Sequence, residues 1–394
     1  MRFLHTGDWH IGKPLRNQRR DSEYQDVLAE VLDIARMERV DCLLVAGDIF
    51  DSAVPPPEAE RIVFDFFREL VGAGVPAVII GGNHDHPRRL NAFSQVLDLV
   101  RIHVRGEPVL ADEGGVVELA SRDGQETAVI AALPWVSERK VRTWEVLQQS
   151  GDSFLEYAAG VSAMIEYLCR SFRPDSISIL LAHLMLDGAF VGPDGGERPL
   201  HLGQTYAIRP QALPVSAQYV GLGHLHRGQE IRPAPPVRYA GSLLQLDFGE
   251  AGQQKSVTIV EASPGLPAHA REVPLTKGRR LHSIGSRDAG VALAEIRALA
   301  DNPEYGDGFL RVYVSLDGPV PALADQVREF LPNAVDIIPE LTNAPAQQEQ
   351  RDLMTLSPED LFLAFCRERR GGEPAPELMQ LFHRLYQEAT SEAD

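Results

Sequence analysis

Five short blocks of aspartate, asparagine and histidine occur within the first 226 residues, and each follows an apolar run that is typical of a buried β-strand. In order, the blocks are Asp8-Trp9-His10, Gly47-Asp48, Gly82-Asn83-His84-Asp85, His183 and Gly223-His224-Leu225-His226. The ends of strands in a packed sheet lie close together, so side chains from distant parts of a chain converge there on a ligand. The blocks therefore predict an α/β sheet with one shared polar site.

Residues 1–265 alternate between strand and helix patterns. Short apolar runs predict strands at residues 2–6, 42–46, 77–80, 127–133, 177–182 and 219–222. Apolar residues at helical spacing predict helices over 22–38 and 58–71. Alternation of this kind implies βαβ units, and unbroken apolar strands imply that both faces of the sheet are covered. We expect a layered domain of the α/β/β/α or the α/β/α type.

The rest of the chain predicts three further parts. A proline- and glycine-bearing stretch at 263–267 indicates a boundary near residue 265. Helix patterns over 291–299 and 322–330 alternate with strand patterns over 309–316 and 335–338, which predicts a small α+β capping domain at 266–341. Residues 342–356 are expected to be a linker, and 357–394 are expected to form two C-terminal helices.

The composition excludes several classes of protein. No run of 18 apolar residues is present, so no transmembrane helix is expected. The first residues lack the pattern of a secretory signal. The three cysteines are far apart and fit a reducing compartment better than a disulfide framework. We expect a cytoplasmic protein without a membrane partner.

The net charge of −18 argues against a basic surface over the whole chain, but binding of nucleic acid depends on the local field. Two basic clusters directly follow the first and the third block. A single cluster of this kind is typical of a solvated loop, whereas a position beside the predicted site makes contact with DNA plausible. The candidates for DNA contact are Lys13, Arg16, Arg19, Arg20, Arg88 and Arg89.

The residue types in the blocks fit two divalent metal ions. Asp8 and His10, like His224 and His226, are two residues apart and so share one side of an extended segment. Asp48 follows a buried strand and needs a partner, and its central place makes it the best candidate to bridge two ions. Mixed oxygen and imidazole ligands suit Mn²⁺, Fe²⁺ or Zn²⁺. Two ions about 3.5–4 Å apart are typical of in-line phosphoryl displacement.

His84 is the imidazole left over once the ions have their ligands, and we expect it to clamp the phosphate and act as a general acid. Taken singly, each block has a purely structural explanation, such as a turn residue or a hydrogen-bonded histidine. That explanation would have to hold at five strand ends in this order. The set therefore favours phosphoester hydrolysis.

The blocks as a set resemble the calcineurin-like metallophosphoesterase superfamily. Three flanking segments, His5 to Lys13, Ala46 to Asp51 and Val220 to His226, resemble the SbcD family, the nuclease subunits of bacterial SbcCD complexes. Tyr239 to Leu243 is similar to the segment that follows the last ligands in that family. The resemblance implies two packed β-sheets flanked by helices, with a small α+β capping domain that binds DNA and a C-terminal helical tail.

The resemblance also implies roles for individual residues. One metal would be held by Asp8, His10, Asp48 and His226, and the other by Asp48, Asn83, His183 and His224. His84 would be the catalytic histidine, and Mn²⁺ the preferred ion. Asp51 stands where several relatives carry a second catalytic-type histidine, so we expect it to position His84 or a water instead.

By resemblance, the chain degrades duplex DNA ends in the 3′→5′ direction and cuts single strands and hairpins. It would do so for DNA repair and recombination, at the nucleoid, within an ATP-dependent complex. The tail helices would dock the SMC-like ATPase SbcC, and helix 58–71 with the apolar run from Leu90 to Val100 would bury against a second copy. Alternatively, the tail folds back on the nuclease domain and those helices face their own sheet.

Two other functions remain open on the residues alone. A phosphatase or a cyclic-nucleotide phosphodiesterase would use the same metal chemistry, but the long extension after the metal domain counts against it. A catalytically inactive scaffold would keep the fold for protein binding, but the presence of every ligand and of His84 counts against that.

Overall fold

The computed structural model describes residues 1–137, 139–141, 157–190, 207–233, 235–287, 289–300 and 302–341, and a few positions between 362 and 382. The predicted linker and most of the predicted tail helices, residues 357–394, lie outside the described residues. Among the helices that are described, none is long and apolar enough to span a membrane.

The described part of the chain contains strands and α-helices with the following bounds, in chain order. The strands are β1 (Arg2–Thr6), β2 (Cys42–Ala46), β3 (Ala77–Ile80), β4 (Ile102–Arg105), β5 (Val116–Ala120), β6 (Thr127–Leu133), β7 (Ile177–His183), β8 (Met185–Leu186), β9 (Ala207–Ile208), β10 (Tyr219–Gly223), β11 (Gln229–Pro233), β12 (Pro236–Tyr239), β13 (Ser256–Glu261), β14 (His269–Pro274), β15 (Leu281–Ile284), β16 (Val291–Ala292), β17 (Phe309–Leu316) and β18 (Ala334–Leu341). The helices are α1 (Asp21–Met37), α2 (Pro57–Gly72), α3 (Pro87–Leu97), α4 (Tyr157–Cys169), α5 (Leu293–Leu299) and α6 (Leu323–Phe330).

Two six-stranded sheets form the main body. In the first, β1 to β4 are parallel neighbours, and β13 and β14 extend the sheet antiparallel beyond β1. The second has the order β11-β12-β10-β7-β6-β5, with β12, β10, β7 and β6 parallel and one antiparallel strand at each edge. The parallel strands of each sheet end at a common edge, as the blocks predict.

Successive side chains of the central strands pack into two different interfaces. In β2, Leu43 and Val45 belong to a core cluster with the residues of α1 and α2, whereas Leu44 and Ala46 face the second sheet. The far side of the second sheet packs on α4, with Leu180 against Met164. Because both faces of each central strand are covered, the strands are apolar throughout. The layered fold is confirmed, and it takes the α/β/β/α form.

The stretch at 263–267 is not the end of the first sheet. It connects β13 to β14, which pair with each other from Ser256 opposite Pro274 to Glu261 opposite His269. The sheet therefore continues to Pro274, past the predicted boundary at residue 265. Proline and glycine mark a hairpin connection as readily as a domain boundary, and this pattern alone does not separate the two.

A small module follows, with β15, β17, β16 and β18 in one sheet and with α5 and α6. Its strands and helices match the predicted α+β pattern with two additions, namely β15 and the short strand that Val291 and Ala292 form before α5. By contacts, Met1–Val314 and Ala322–Pro339 form one compact unit, and Ser315–Pro321 and Glu340–Asp394 form another. The predicted division into domains otherwise stays a prediction.

Candidate metal centre

The five blocks converge at the carboxyl ends of the parallel strands. Asp8, Asp48 and Asn83 follow β1, β2 and β3, while His183 ends β7 and His224 follows β10. Four of the predicted ligands have a left-handed backbone, with φ of 48° at Asp8, 49° at His10, 50° at Asp48 and 106° at His224. Such strain at non-glycine residues is typical of functional sites, where the surrounding packing holds it in place.

Two glycines provide the close approach that the site needs. A Cβ added to Gly82 would overlap the Asp48 carboxylate, and one added to Gly47 would overlap the His183 ring. Gly47 also has a left-handed φ of 89°. The glycines in these blocks therefore let the backbone pass next to the predicted ligands, which any side chain would prevent.

On one side of the site, three lone-pair atoms face one another. His226 donates its Nδ1 hydrogen to Glu250 Oε1 at 3.0 Å, so its Nε2 presents a lone pair. His10 directs Nδ1 toward Asp51 Oδ1 at 3.4 Å, which leaves its Nε2 lone pair 3.1 Å from His226 Nε2 and 3.5 Å from Asp48 Oδ2. Two imidazole nitrogens and one carboxylate oxygen this close together form a donor set that suits a divalent cation.

The other side repeats this arrangement. His183 donates its Nδ1 hydrogen to the carbonyl oxygen of Ala46 at 2.7 Å, so its Nε2 faces Asn83 Oδ1 at 3.0 Å and Asp48 Oδ2 at 3.6 Å. His224 Nδ1 lies 3.0 Å from the same oxygen of Asn83. Asp8 is fully buried and accepts the backbone hydrogen of His224 at 2.8 Å.

Asp48 is common to both sides. Among the described residues, it belongs to two groups with metal-ligand spacing, one with His10 and His84 and one with Asp8 and His183. Burial alone would raise the pKa of Asp48, but His183, His10 and His84 lower it to about 2. The donor set, one shared carboxylate between two clusters of neutral imidazole and amide donors, fits two divalent ions.

The imidazoles are held in the neutral form that binds metals. Burial lowers the pKa of His10 to about 4, although Asp51 and Asp48 oppose this shift. Burial, together with His183, lowers the pKa of His224 to about 3. The pKa of His183 is also lowered, mainly by burial. These rings therefore offer lone pairs at neutral pH without first losing a proton.

His84 lies at the edge of the site and is half-buried. Its Nδ1 hydrogen is donated to the carbonyl oxygen of Asp51 at 2.8 Å, and its ring packs edge-on to His10 with centroids 4.7 Å apart. Because Nδ1 has a carbonyl partner, Nε2 is the ring nitrogen directed away from that bond. Its backbone N–H also binds Asp48 Oδ1 at 2.8 Å, which fixes the loop on the central carboxylate.

Asp51 contacts two predicted site residues with its carboxylate and a third with its backbone. The carboxylate lies 3.0 Å from Lys13 Nζ and 3.4 Å from His10 Nδ1, whereas the bond to His84 is made by the backbone carbonyl. Burial would raise the pKa of Asp51, but His10 and Lys13 lower it to about 2. Any residue at this position could offer the carbonyl, so the aspartate side chain itself serves His10.

Two residues of the candidate metal centre have no role in the sequence interpretation. Asp85 accepts backbone N–H bonds from Ile49 at 3.1 Å, Phe50 at 3.0 Å and Gly82 at 2.9 Å, and so ties the second block to the third. Burial and the nearby Asp48 raise its pKa to about 7. Trp135 stacks on His224 with ring centroids 5.2 Å apart. It follows β6, so the strand-end pattern that marked the blocks could have found it.

A buried charged pair supports His226 from behind. Glu250 Oε2 lies 2.6 Å from Lys255 Nζ, and Lys255 also donates to the carbonyl oxygen of His226 at 2.9 Å. Burial would raise the pKa of Glu250, but Lys255 and His226 lower it to about 2. Nothing in the local sequence marks Glu250, because its partner lies 24 residues earlier.

The candidate DNA contacts separate into two groups. The prediction that Arg20 contacts DNA is wrong. Arg20 is 2% exposed, and its guanidinium binds Glu23 and the carbonyl oxygen of Gln245. A buried arginine with these partners cannot reach a phosphate. The sequence pattern around Arg20 did not indicate this burial. Lys13, Arg16, Arg19 and Arg89 each lie in an ion pair, with Asp51, Asp336, Asp21 and Glu60 respectively, and Arg88 is exposed.

Comparison with known proteins agrees with this geometry. Residues 1–198 match the family of calcineurin-like phosphoesterases, and residues 278–370 match the type 5 capsule protein repressor C-terminal domain, SbcD_C. The chain is 33% identical to the SbcD component of the SbcCD nuclease of Bacillus subtilis, over 98% of this chain and 97% of that protein. It is 32% identical to the same component of Rhodobacter capsulatus, over 92% and 94%. It is also 32% identical to that of Escherichia coli K12, over 67% and 66%.

Proposed function

The chain belongs to the SbcD family of calcineurin-like phosphoesterases, and we propose from this that it is a metal-dependent nuclease that hydrolyses DNA phosphodiester bonds. The observation that carries the proposal is Asp48, whose carboxylate belongs to two groups of metal-type donors at once. A site for two ions around one shared carboxylate is suited to phosphoryl displacement.

Each ion has its own set of ligands in this proposal. The first set is Asp8, His10, Asp48 and His226, and the second is Asp48, Asn83, His183 and His224. When bound, two divalent ions acidify the attacking water and stabilise the oxygens that carry charge during displacement. Mn²⁺ is the ion we propose, because carboxylate, amide and imidazole donors all suit it.

His84 acts on the phosphate in this proposal. Its Nδ1 hydrogen is committed to the carbonyl oxygen of Asp51, so the ring is fixed and Nε2 is directed away from that bond. A cationic His84 holds a phosphate oxygen and gives its Nε2 proton to the leaving oxygen. Asp51 keeps His10 oriented and, through its backbone, His84.

DNA reaches the site past the basic residues that follow the first and third blocks. Arg88 is exposed and open to a phosphate. Arg19, with a 70% exposed side chain, must exchange Asp21 for a phosphate, as Lys13 and Arg89 must exchange their own acidic partners. The net charge of −18 is compatible with DNA binding if a partner supplies part of the DNA-binding surface. We propose that the small module and an SbcC-type ATPase supply it.

A nuclease assay tests the function. The full-length chain is incubated with a linear duplex and, separately, with a nitrophenyl phosphate ester, in Mn²⁺ and in Mg²⁺, with and without the ATPase partner. We expect cleavage of the duplex, from its 3′ ends, and stronger in Mn²⁺. Turnover of the small ester alone would favour a phosphatase, and no turnover of either would favour a scaffold.

We propose that SbcC docks on the C-terminal helices, whose apolar residues recur at helical spacing. Deleting residues 352–394 is expected to abolish capture of the ATPase in a pull-down and to leave metal uptake unchanged. Undiminished capture would contradict docking through the tail and favour a tail that folds back on its own domain.

A second copy of the chain is proposed to bind the outer side of α2 and α3. Leu90 and Leu97, from the apolar run Leu90 to Val100, are buried in the core of their own chain. For these two residues, the alternative that the helices face their own sheet holds. Phe64 and Val71 of α2, Val96 of α3, and Leu99 and Val100 just after α3 are nonetheless exposed. Exposed apolar side chains that form one patch are typical of an interface.

Replacing Val96, which is 67% exposed, by glutamate is expected to weaken the dimer about tenfold or more, because a carboxylate would be buried without a partner. The matched control is Val215→Glu, a valine that is 85% exposed outside α2 and α3. Sedimentation velocity over a range of concentrations measures the effect. Equal dimerisation of the Val96→Glu variant and the wild type would rule out this surface.

A further inference from the structure

The buried Glu250 links the metal centre to the small module. On one side, its carboxylate receives the Nδ1 hydrogen of His226 at 3.0 Å, and Lys255 and the backbone N–H of Leu246 hold its other oxygen at 2.6 Å and 3.1 Å. Glu250 is 2% exposed. The carboxylate is therefore fixed from two directions, and it fixes the direction of the His226 ring.

The turn that carries Glu250 packs against the small module. Its neighbour Phe248 is 4% exposed and lies in an apolar cluster with Leu15, Leu281 and Phe309. The guanidinium of Arg311, on β17, stacks over the Phe248 ring at 4.6 Å and lies 4.0 Å from Asp247. The position of this turn therefore depends on β15 and β17.

Two further contacts join the same parts. The side chain of Gln245, in the segment before the turn, accepts the backbone N–H of Leu281 at 2.7 Å. Asp336 on β18 binds both Arg311, at 2.7 Å, and Arg16, at 2.8 Å, which lies just beyond the first block. The small module thus contacts both segments that support the His10 and His226 side of the centre.

We propose that Glu250 is a positioning residue for His226, and that the small module sets the place of Glu250 through Phe248 and Arg311. This rests on the proposed function, in which His226 is a metal ligand. Displacement of the module by a bound partner or by DNA then changes the affinity of one metal site and leaves the other unaffected. The competing explanation is that Glu250 and Lys255 form an ion pair that only stabilises the core.

Metal titration of the metal-free, full-length protein distinguishes the two explanations. Mn²⁺ binding is followed by calorimetry, and Co²⁺ is added separately because its visible absorption reports ligand geometry. Glu250→Gln is expected to weaken one of two sites about 10- to 100-fold, the usual effect of removing such a support. Its control is Glu118→Gln, which breaks an exposed ion pair with Arg173 and is expected to change neither site.

A double variant keeps the test valid if Glu250→Gln alone unfolds. Glu250→Gln with Lys255→Met removes both buried charges, so that neither is left unpaired. A positioning role predicts the same loss at one metal site and an altered Co²⁺ spectrum in the double variant. Wild-type affinity at both sites in the double variant would overturn the proposal and favour the ion-pair explanation.

The role of the module is tested at Arg311, which contacts Phe248, Asp247 and Asp336. Arg311→Met is expected to weaken the same site about 2- to 30-fold. Arg297→Met is the control, because Arg297 is also in the module but stacks on Phe330 at 5.6 Å instead of Phe248. Unchanged affinity in Arg311→Met would overturn the coupling. Failure of the wild type to bind any ion would instead contradict the proposed function.

Discussion

Replacement of His84 by alanine is expected to lower the rate of DNA cleavage about 10²- to 10⁴-fold while both metal ions still bind. The ring would be lost as a proton donor, but the backbone N–H that binds Asp48 Oδ1 at 2.8 Å would remain. The loop at the third block therefore keeps its place. Single-turnover cleavage of a duplex by the Mn²⁺-loaded chain measures the rate, and calorimetry measures the ions.

The leaving group separates two roles of His84. A nitrophenyl ester needs little protonation of its leaving oxygen, so a general acid predicts a much smaller loss on that substrate than on DNA. An equal loss on both would assign His84 to holding the phosphate. His269→Ala is the control, because His269 is an exposed histidine on β14.

Two outcomes would contradict the assignment. Full cleavage of DNA by the His84→Ala variant would remove His84 from the chemistry. Loss of one ion would make His84 a ligand, which its grouping with His10 and Asp48 allows.

The sequence predicts the centre better than it predicts the sheets. Each block follows a strand whose residues are apolar throughout, and both faces of such a strand are covered in the α/β/β/α layers. Polar residues at those strand ends have few explanations besides a shared ligand. The layered fold is therefore predicted correctly from local patterns, and the family is predicted correctly from the resemblance that the blocks and their flanking segments carry.

The antiparallel edge strands have no such pattern. In β5, buried residues alternate with less buried ones, and in β14 no residue is buried and three of the six are exposed. Edge strands face water on one side, so their composition is close to that of a loop. For the same reason, the connection at 263–267 has the composition of a boundary between domains, although its two strands pair with each other.

Residues that act through partners distant in sequence are also beyond local patterns. Arg20 lies in a basic cluster of the sequence, but its bonds to Glu23 and Gln245 hold it in the core. Glu250 gains its role only because the chain returns to His226. These assignments require the three-dimensional contacts, since burial and hydrogen-bond partners decide them and neither is encoded in spacing.

Asp48→Asn is expected to have the largest effect, a loss of both ions and a fall in cleavage of roughly 10³-fold or more. Asp48 Oδ2 lies 3.5 Å from His10 Nε2 and 3.6 Å from His183 Nε2, one imidazole from each proposed set. Asparagine can still accept the His84 N–H through Oδ1. It loses the negative charge and one oxygen that the two sets share.

Single-site variants make this expectation specific. His226→Ala should weaken only the first ion and His224→Ala only the second, whereas Asp48→Asn should weaken both in the same calorimetric titration. Asp33→Asn, which removes an exposed carboxylate of α1, is the control for charge alone. If Asp48→Asn lost one ion and kept the other at wild-type affinity, Asp48 would belong to a single site. The two clusters would then need separate carboxylates, and Asp8, which is buried and has ligand spacing to Asp48 and His183, is a candidate for the second.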